Sequence, residues 1–432
     1  MTSVDDQLAT LLSGVQYGDE SPEGEPGPLG REMRAELRAL LQQGRPLRVY
    51  LGIDPTATSL TLGHTVPLRK LRQFQQLGHQ AIFLIGDYTA LIGDPSDKNK
   101  LRPQLTPEDI AANEATYFDQ AARLLDAEKT ELRHNSEWLS KLDFPQVISL
   151  MSKFTVAEML RRDNFRQRFD AGEAVYLHEF LYALMQGYDA LALECDVQVG
   201  GTEQLFNLMA GRKIQEDAGQ RPHVPITLPI LVGLDGKARM SKSAGNHIGV
   251  NDPPDEQYGK AMSLPDDVIM DFYTLATNVP RADLPALAEE VQSNPMAAKK
   301  RLARTIVSEF WGDDAARAAE ERFRKLVQEK PATREDVPED AVRKLDYVNG
   351  QTYAELLVRA GAADSKRSAA RLLREGAVER LITTTSVSTA DPSSLSRTIQ
   401  DNKLRDPAAL VEEGEFVRVG KRIYISVGYA DE

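Results

Sequence analysis

The sequence is short of cysteine, of positive charge and of long apolar runs, and each shortage removes a class of protein. One cysteine in 432 residues excludes an intrachain disulfide, and no Cys-x-x-Cys pair is present to hold structural zinc. That residue, Cys195, sits in an apolar stretch at 191–199 and reads as core filler. The six histidines show no His-x-x-x-His spacing of a metal site. No apolar run approaches the roughly 20 residues that a membrane helix needs. Lys and Arg total 52 against 65 Asp and Glu, a formal net charge of −13. A chain this acidic binds a polyanion only through a local basic patch. Asp5 and Asp6 stand where a secretion signal would carry Lys or Arg. The expectation is a cytoplasmic protein that does not enter a membrane.

What is present is a globular composition, 41% hydrophobic and 27% charged, at a length that suggests roughly two to four domains. Residues 1–30 end in a Glu-, Pro- and Gly-rich run and read as a poorly structured extension or an edge arm. From residue 31 the pattern is α/β. Residues 47–53 read as a strand and 54–62 as turn-rich. Residues 65–77 read as a helix with Pro67 in its first turn and Gly78 just past its end. Residues 81–86 form a second short apolar strand. Strand, crossover helix, strand is a parallel βαβ unit, and such sheets bind ligands beyond the carboxyl ends of their strands. Residues 196–200 and 227–232 read as further strands, and the α/β pattern stops near residue 250.

From residue 251 to 335 the pattern is helical, with Leu302, Ile306 and Phe310 on one face. Residues 336–349 read as a linker. In 350–432, helices are predicted at 353–360 and 365–375, the second closed by Gly376, followed by a hairpin of 416–419 and 423–427. No internal repeat is evident.

Two short segments point to a nucleotide. Gly52-Ile53-Asp54-Pro55-Thr56 leads to Leu62-Gly63-His64 at a helix start. Glycine lets backbone approach a ligand closely, and a helix N-terminus offers N–H groups to phosphate. Alone, this reads more readily as a turn with a capping histidine. The loop from Gly236 to Asn246 contains Arg239-Met240-Ser241-Lys242-Ser243, with Lys237 close by. It can close over a triphosphate, where its cations would stabilise charge developing on a leaving pyrophosphate.

A third segment is a polar stripe. Tyr182, Gln186 and Asp189 fall at i, i+4 and i+7 of a helix that is otherwise apolar. Buried polar groups need partners. They satisfy one another, or they hold a ligand with a polar tip and an amine.

Leu62-Gly63-His64 resembles the end of the "HIGH" motif, and Arg239–Ser243 the "KMSKS" motif, of class I aminoacyl-tRNA synthetases. Thr61 replaces the first histidine of the former and Arg239 the first lysine of the latter. The stripe Tyr-x-x-x-Gln-x-x-Asp is similar to that of the bacterial tyrosine-specific members. The resemblance covers almost the whole chain after residue 31. It implies an α/β fold: a Rossmann-like parallel-sheet catalytic domain at 31–250, an α-helical anticodon-binding domain at 251–335, and a small α+β RNA-binding domain at 350–432, like that of ribosomal protein S-four.

The resemblance also implies roles. Thr56, Thr61, His64, Arg239 and Lys242 would stabilise the pyrophosphate, with Lys98 and Arg102 on a mobile loop. Asp189 would accept the substrate phenol proton beside Tyr50. Tyr182, Gln186 and Asp94 would hold the α-amino group, with Thr89, Gln198 and Gln204 lining the same pocket. Gly52, Asp54, Gly63, Gly201, Glu203 and Met240 would complete the ATP site. The expected partners are ATP as a substrate with Mg²⁺, L-tyrosine, tRNA(Tyr) crossing between subunits, and a second copy of the chain. No tightly bound cofactor and no metal ligands of the protein's own are expected.

Bases gather in the last part: Arg359, Lys366, Arg367, Arg371 and Arg374. Such a run is a solvated helix flank or, with the resemblance, a tRNA surface. Arg161, Arg162, Arg166 and Arg168 form a second cluster that touches the acceptor end or is surface only. The rival functions are a tryptophan-specific enzyme, an RNA-binding protein descended from a synthetase without catalysis, and an unrelated nucleotidyltransferase. Thr61 is the one feature that leans toward lost catalysis. Lys242, His64, Thr56 and the intact pocket lean back toward catalysis, and Asp189 with Tyr50, plus the appended RNA-binding domain, argue against the tryptophan-specific enzyme.

Overall fold

The computed structural model describes residues 2–21, 24–96, 105–329, 331, 334, 336–381, 403–420 and 423–428. The chain falls into two compact units, Met1–Asp313 and Asp314–Glu432.

The first unit is built on a parallel sheet of β1 (Arg48–Ile53), β2 (Gln80–Ile85), β3 (Thr130–His134), β4 (Val197–Gly201) and β5 (Val224–Leu228), in the order β3-β2-β1-β4-β5. Central strands covered on both faces carry continuous apolar runs rather than alternation. Val49, Tyr50 and Leu51 of β1 and Ala81–Ile85 of β2 are accordingly all buried. The chain leaves β1 toward β2 and β3, then returns to β4 on the other side of β1. The point where the order reverses is where such sheets open a ligand crevice.

β3 escaped the sequence reading because its residues, Thr-Glu-Leu-Arg-His, show no apolar run; it is an edge strand and stays half-exposed. β5 lies three residues earlier than predicted. It includes Pro225, whose missing N–H is tolerated because β5 is also an edge.

The N-terminal residues are more ordered than their composition suggests. Ser3 caps helix α1 (Val4–Leu11), and Leu8 and Leu11 are wholly buried, each such side chain stabilising by about 1.5–3 kcal/mol. Gln16 N–H donates to the Thr227 carbonyl at 2.9 Å and Tyr17 Oη to that of Pro225 at 2.8 Å. The segment thus covers the open edge of β5, a place where an unpaired strand would invite aggregation. Pro28–Leu41 forms a second helix, α2.

The crossover from β1 to β2 is α3 (Leu62–Gln76). It begins three residues earlier than predicted, so Pro67 falls in its second turn and cannot donate to the Gly63 carbonyl. The stripe residues lie on α4 (Leu177–Ala192), which packs on α5 (Leu205–Asp217); a Cβ on Gly187 would stand 2.7 Å from Ile214 Cδ1. After residue 251 come helices including α6 (Ile269–Ala276) and α7 (Pro295–Trp311). Leu302 and Ile306 of α7 are buried while Phe310 is only partly so. These helices belong to the same compact unit as the sheet. Arg69 of α3 and Glu309 of α7 form a buried ion pair between them.

The second unit holds a sheet of β6 (Val342–Asp346), β7 (Val378–Leu381), β8 (Phe416–Val419) and β9 (Ile423–Gly428), in the order β6-β9-β8-β7. β6 lies inside the predicted linker. Its exposed positions are charged, which hid its pairing with β9. Helices α8 (Tyr353–Arg359) and α9 (Lys366–Arg374) pack on the sheet through Leu356, Leu357 and Leu373. The hairpin of β8 and β9 pairs Val419 with Ile423.

Candidate active site

An open cleft of about 990 Å³ lies beyond the carboxyl ends of β1 and β4. Gly52, Asp54 and Thr56 reach it from the end of β1. Gly63 and His64 come from the start of α3, and Gly201, Glu203 and Gln204 from the turn after β4. Arg239 and Met240 come from the loop after β5. A smaller pocket opens from it, lined by Tyr50, Thr89, Asn135, Gln186 and Asp189. Gly52, Asp54, Tyr182 and Gln204 line both, so the two spaces are continuous.

The cleft joins helix-start N–H groups, a histidine and a guanidinium on one side to carboxylates on the other. Thr61 is buried, and its backbone N–H donates to His64 Nδ1 at 3.1 Å while its hydroxyl lies 2.9 Å from the same nitrogen. An Nδ1 that accepts from a backbone N–H carries a lone pair, so the ring proton sits on Nε2. The threonine that departs from the motif is therefore engaged in orienting His64.

Burial lowers the Arg239 guanidinium from its ordinary value, and Asp94 pulls it back up. Burial also lowers the Lys242 ammonium, which donates to the Ser59 carbonyl. Glu203 is pushed up to about 7, by burial first and by Asp94 second. Its Oε2 is buried without a hydrogen-bond partner among the described residues.

The small cavity ends at a carboxylate. Asp189 is 2% exposed. Trp138 Nε1 donates to its Oδ1 at 2.8 Å and Asn135 Nδ2 to its Oδ2 at 3.2 Å. Burial drives its carboxyl well above the usual range, and those two donors pull it down. Tyr50 is wholly buried, its hydroxyl 3.4 Å from the Gln186 carbonyl.

Toward the cleft, Asp54 accepts from the Tyr182 hydroxyl at 3.0 Å and from Thr89 at 2.8 Å. Asp94 accepts from Ser96 at 2.6 Å and from Gln204 at 3.2 Å. Asn207 bridges Gln186 and Asp94 at 2.9 and 3.4 Å. Gly93, at φ 75°, makes the turn that presents Asp94. At the end of β2, Gly86 is required for space, since a Cβ there would stand 2.2 Å from Asp54 Oδ1.

Residues 42–328 match the model of the family described as tRNA synthetases class I (W and Y). The chain belongs to this family. A tyrosine–tRNA ligase of Symbiobacterium thermophilum is 43% identical over 427 residues, 98% of this chain and 97% of that one. One from Moorella thermoacetica is 45% identical over 396 residues, 90% of each. Among solved structures, a C-terminally truncated mitochondrial tyrosyl-tRNA synthetase of Aspergillus nidulans has the same fold, with a TM-score of 0.59 and 24% identity over 76% of this chain and 94% of its own.

Within this class I synthetase, most residues singled out in the sequence converge on the two spaces. Lys242 turns to the Ser59 carbonyl and lines neither. Gln198 lies beneath them on β4 opposite Tyr50, buried, its Oε1 without a partner among the described residues. Lys98 and Arg102 lie outside the described residues.

Asn135, Trp138 and Asn207 contact the stripe but were not found from sequence. The first two leave an edge strand that carried no signal; Asn207 stands three residues after Gln204 and could have been inferred from a helical turn. Of the basic cluster at 161–168, Arg162 and Arg168 turn inward. Arg162 donates to Ser96 Oγ at 2.8 Å and stacks on Phe165 and Phe206; Arg168 pairs with Glu179. Arg161 and Arg166 are exposed.

In the second unit all five predicted bases are exposed. Lys366 meets Glu355 at 2.8 Å, Arg371 lies 3.9 Å from Glu375, and Arg359 donates to the Asp346 carbonyl at 2.8 Å. Arg367 and Arg374 have no carboxylate partner among the described residues.

Proposed function

We propose that this synthetase activates L-tyrosine with ATP, releasing pyrophosphate, and then transfers the tyrosyl group to the 3′ end of tRNA(Tyr). The observation that carries the reading is a pocket ending in Asp189 and Tyr50 that opens directly into a cleft with phosphate-binding features. The phenol would donate to Asp189, a charge-assisted bond worth about 1.5–3 kcal/mol. The α-ammonium would meet Asp94, Tyr182 and Gln186. The α-carboxylate then faces the cleft.

Chemistry follows from position. The carboxylate attacks the α-phosphorus of ATP, the bond to the β-phosphate oxygen breaks, and pyrophosphate takes the electron pair. The nucleophile is already ionised, so no general base is needed. Rate comes from alignment and from donors aimed at the leaving oxygens. Thr56, His64 Nε2–H, Arg239 and Lys242 fill that role, and Glu203 with Gly201 receives the ribose. Mg²⁺ would arrive on the ATP phosphates. Among the described residues no group of three or more His, Cys, Asp or Glu is placed to hold a metal.

The exposed bases of α8 and α9 would take tRNA backbone, with residues 251–335 reading the anticodon. A second copy of the chain would cover apolar side chains left exposed at 144–177, among them Phe144 at 76% and Leu177 at 79%. Among the described residues no helix is long and apolar enough to cross a membrane; we place the enzyme in the cytoplasm, where tRNA is charged.

The direct test is pyrophosphate exchange into ATP, run separately with tyrosine, phenylalanine and tryptophan. Exchange with tyrosine alone is expected. Background exchange with all three from folded protein would instead favour a synthetase-derived RNA-binding protein.

Glu203 supplies a pH test. Its raised value means that burial favours the protonated form. The free enzyme gains stability from this below the ordinary carboxylate range and loses it as pH rises through about 7. The ionised carboxylate is the stronger acceptor for a ribose hydroxyl. The KM for ATP should therefore fall from pH 6 to pH 8, and Glu203→Gln should flatten that profile. A profile identical in the variant would remove Glu203 from the ribose site.

A further inference from the structure

A second cleft, of about 1190 Å³, lies behind α3, between that helix, the end of α1 and the segment 274–284 that begins in α6. Its lining includes Arg69, Lys70, Arg72 and Arg281 and, among the described residues, no carboxylate, in a chain of net charge −13. Glu309 answers Arg69 from outside the lining. The other three have no ion-pair partner among the described residues.

Lys70 is the most constrained of them. It is 3% exposed, and among the described residues its ammonium donates only to the carbonyls of Ser13 at 2.8 Å and Thr10 at 3.3 Å. Burial without a counter-charge pushes it down to about 7. A lysine at the C-terminal end of α1 also complements that helix's dipole, which accounts for two of its donors but not for the rest of the cleft. One further donor there, Arg69 Nε–H, is buried without a hydrogen-bond partner among the described residues. Among the described residues Lys70 and Arg72 have no carboxylate partner, and Arg281, exposed at the rim, donates only to the Ala9 carbonyl at 3.2 Å, so donors surround one space with no anion to meet them.

We propose that this cleft is a second, non-catalytic binding site for a small phosphate-bearing molecule, held by Lys70, Arg72 and Arg281. A phosphate carries a charge of about −1.5 to −2 at neutral pH, which matches three cations better than a single carboxylate does. Arginine forks suit its oxygens. Val66 and Leu228 line both this cleft and the nucleotide cleft, so a single layer of side chains separates the two.

The test is calorimetric titration of the full chain with inorganic pyrophosphate. The wild type is expected to show two sites, one in each cleft. Arg239→Ala should keep the rear site. Lys70→Met and Arg72→Ala should each weaken it at least tenfold while keeping the other. Lys70→Met also removes the tie to α1; Arg72 has no partner to lose among the described residues, so its variant decides the matter if the first fails to fold. Binding that vanishes in Arg239→Ala and is untouched in Arg72→Ala would mean that pyrophosphate enters only the nucleotide cleft, and would overturn the proposal. So would the absence of a second site at millimolar pyrophosphate.

Discussion

Replacing Lys242 by alanine is expected to lower the rate of tyrosyl-adenylate formation by about 10²–10³-fold, the usual cost of one donor aimed at developing charge. Tyrosine binding should be unaffected, because Lys242 does not line the cavity that ends at Asp189. The expectation rests on a loop whose base is fixed and whose tip is not committed to the site. Asn246 ties the base, donating to Asp235 at 3.1 Å and to the Arg239 carbonyl at 3.1 Å, and accepting from Ser241 N–H at 2.8 Å. Gly236 and Gly245, both at φ 66°, turn the chain on either side. Lys242 meanwhile rests on the backbone carbonyl of Ser59, in the segment that joins β1 to α3. A neutral carbonyl is a weak partner for an ammonium, and a triphosphate in the adjoining cleft is a far stronger one. The lysine would thus exchange partners when ATP arrives. Single-turnover adenylate formation measures this directly. A variant that kept the wild-type rate would show that Arg239 and His64 suffice, and that Lys242 only fastens the empty loop.

How much of this was legible in the sequence depended on burial. Strands covered on both faces announced themselves: β1 and β2 are apolar runs with a helix between them, and their reading carried the crevice with it. Edge and half-exposed elements did not. β3 offers one Leu among polar residues, and β6 interleaves Val and Leu with Arg, Lys and Asp, which is also the texture of a linker. The N-terminal segment misled through its Glu, Pro and Gly content, although Leu8, Leu11 and Tyr17 were there to be buried. The site divided along the same line. Residues on one continuous helix face, Tyr182, Gln186 and Asp189, were visible as a stripe. The residues that set the environment of that stripe, Asn135 and Trp138, arrive from the end of the silent strand β3, and no spacing connects them to α4. Thr61 is instructive in the other direction. Its departure from the motif leaned toward lost catalysis, whereas its backbone N–H and hydroxyl fix the ring of His64.

Asp189→Asn should lower kcat/KM for tyrosine by about tenfold to a hundredfold and should narrow or abolish the preference for tyrosine over phenylalanine. The first effect is the loss of a charge-assisted bond to the phenol, about 1.5–3 kcal/mol at about 1.4 kcal/mol per factor of ten. The second follows from what phenylalanine would leave behind. In the wild type an ionised Asp189 would be sealed under an apolar ring with only Trp138 and Asn135 to answer it, and burial already strains its charge. The amide carries no charge to strand, so phenylalanine no longer meets that penalty. Trp138→Phe separates the two contributions: it removes one donor from the carboxylate but leaves its charge, so it should impair tyrosine activation less than Asp189→Asn and preserve the discrimination. Exchange rates for both amino acids in the three proteins decide the matter. If Asp189→Asn left the tyrosine-to-phenylalanine ratio unchanged, the selectivity would have to reside in the shape of the cavity and in the hydroxyl of Tyr50. The carboxylate would then be a structural acceptor for Trp138 and Asn135, buried at a cost in stability that tyrosine recognition does not explain.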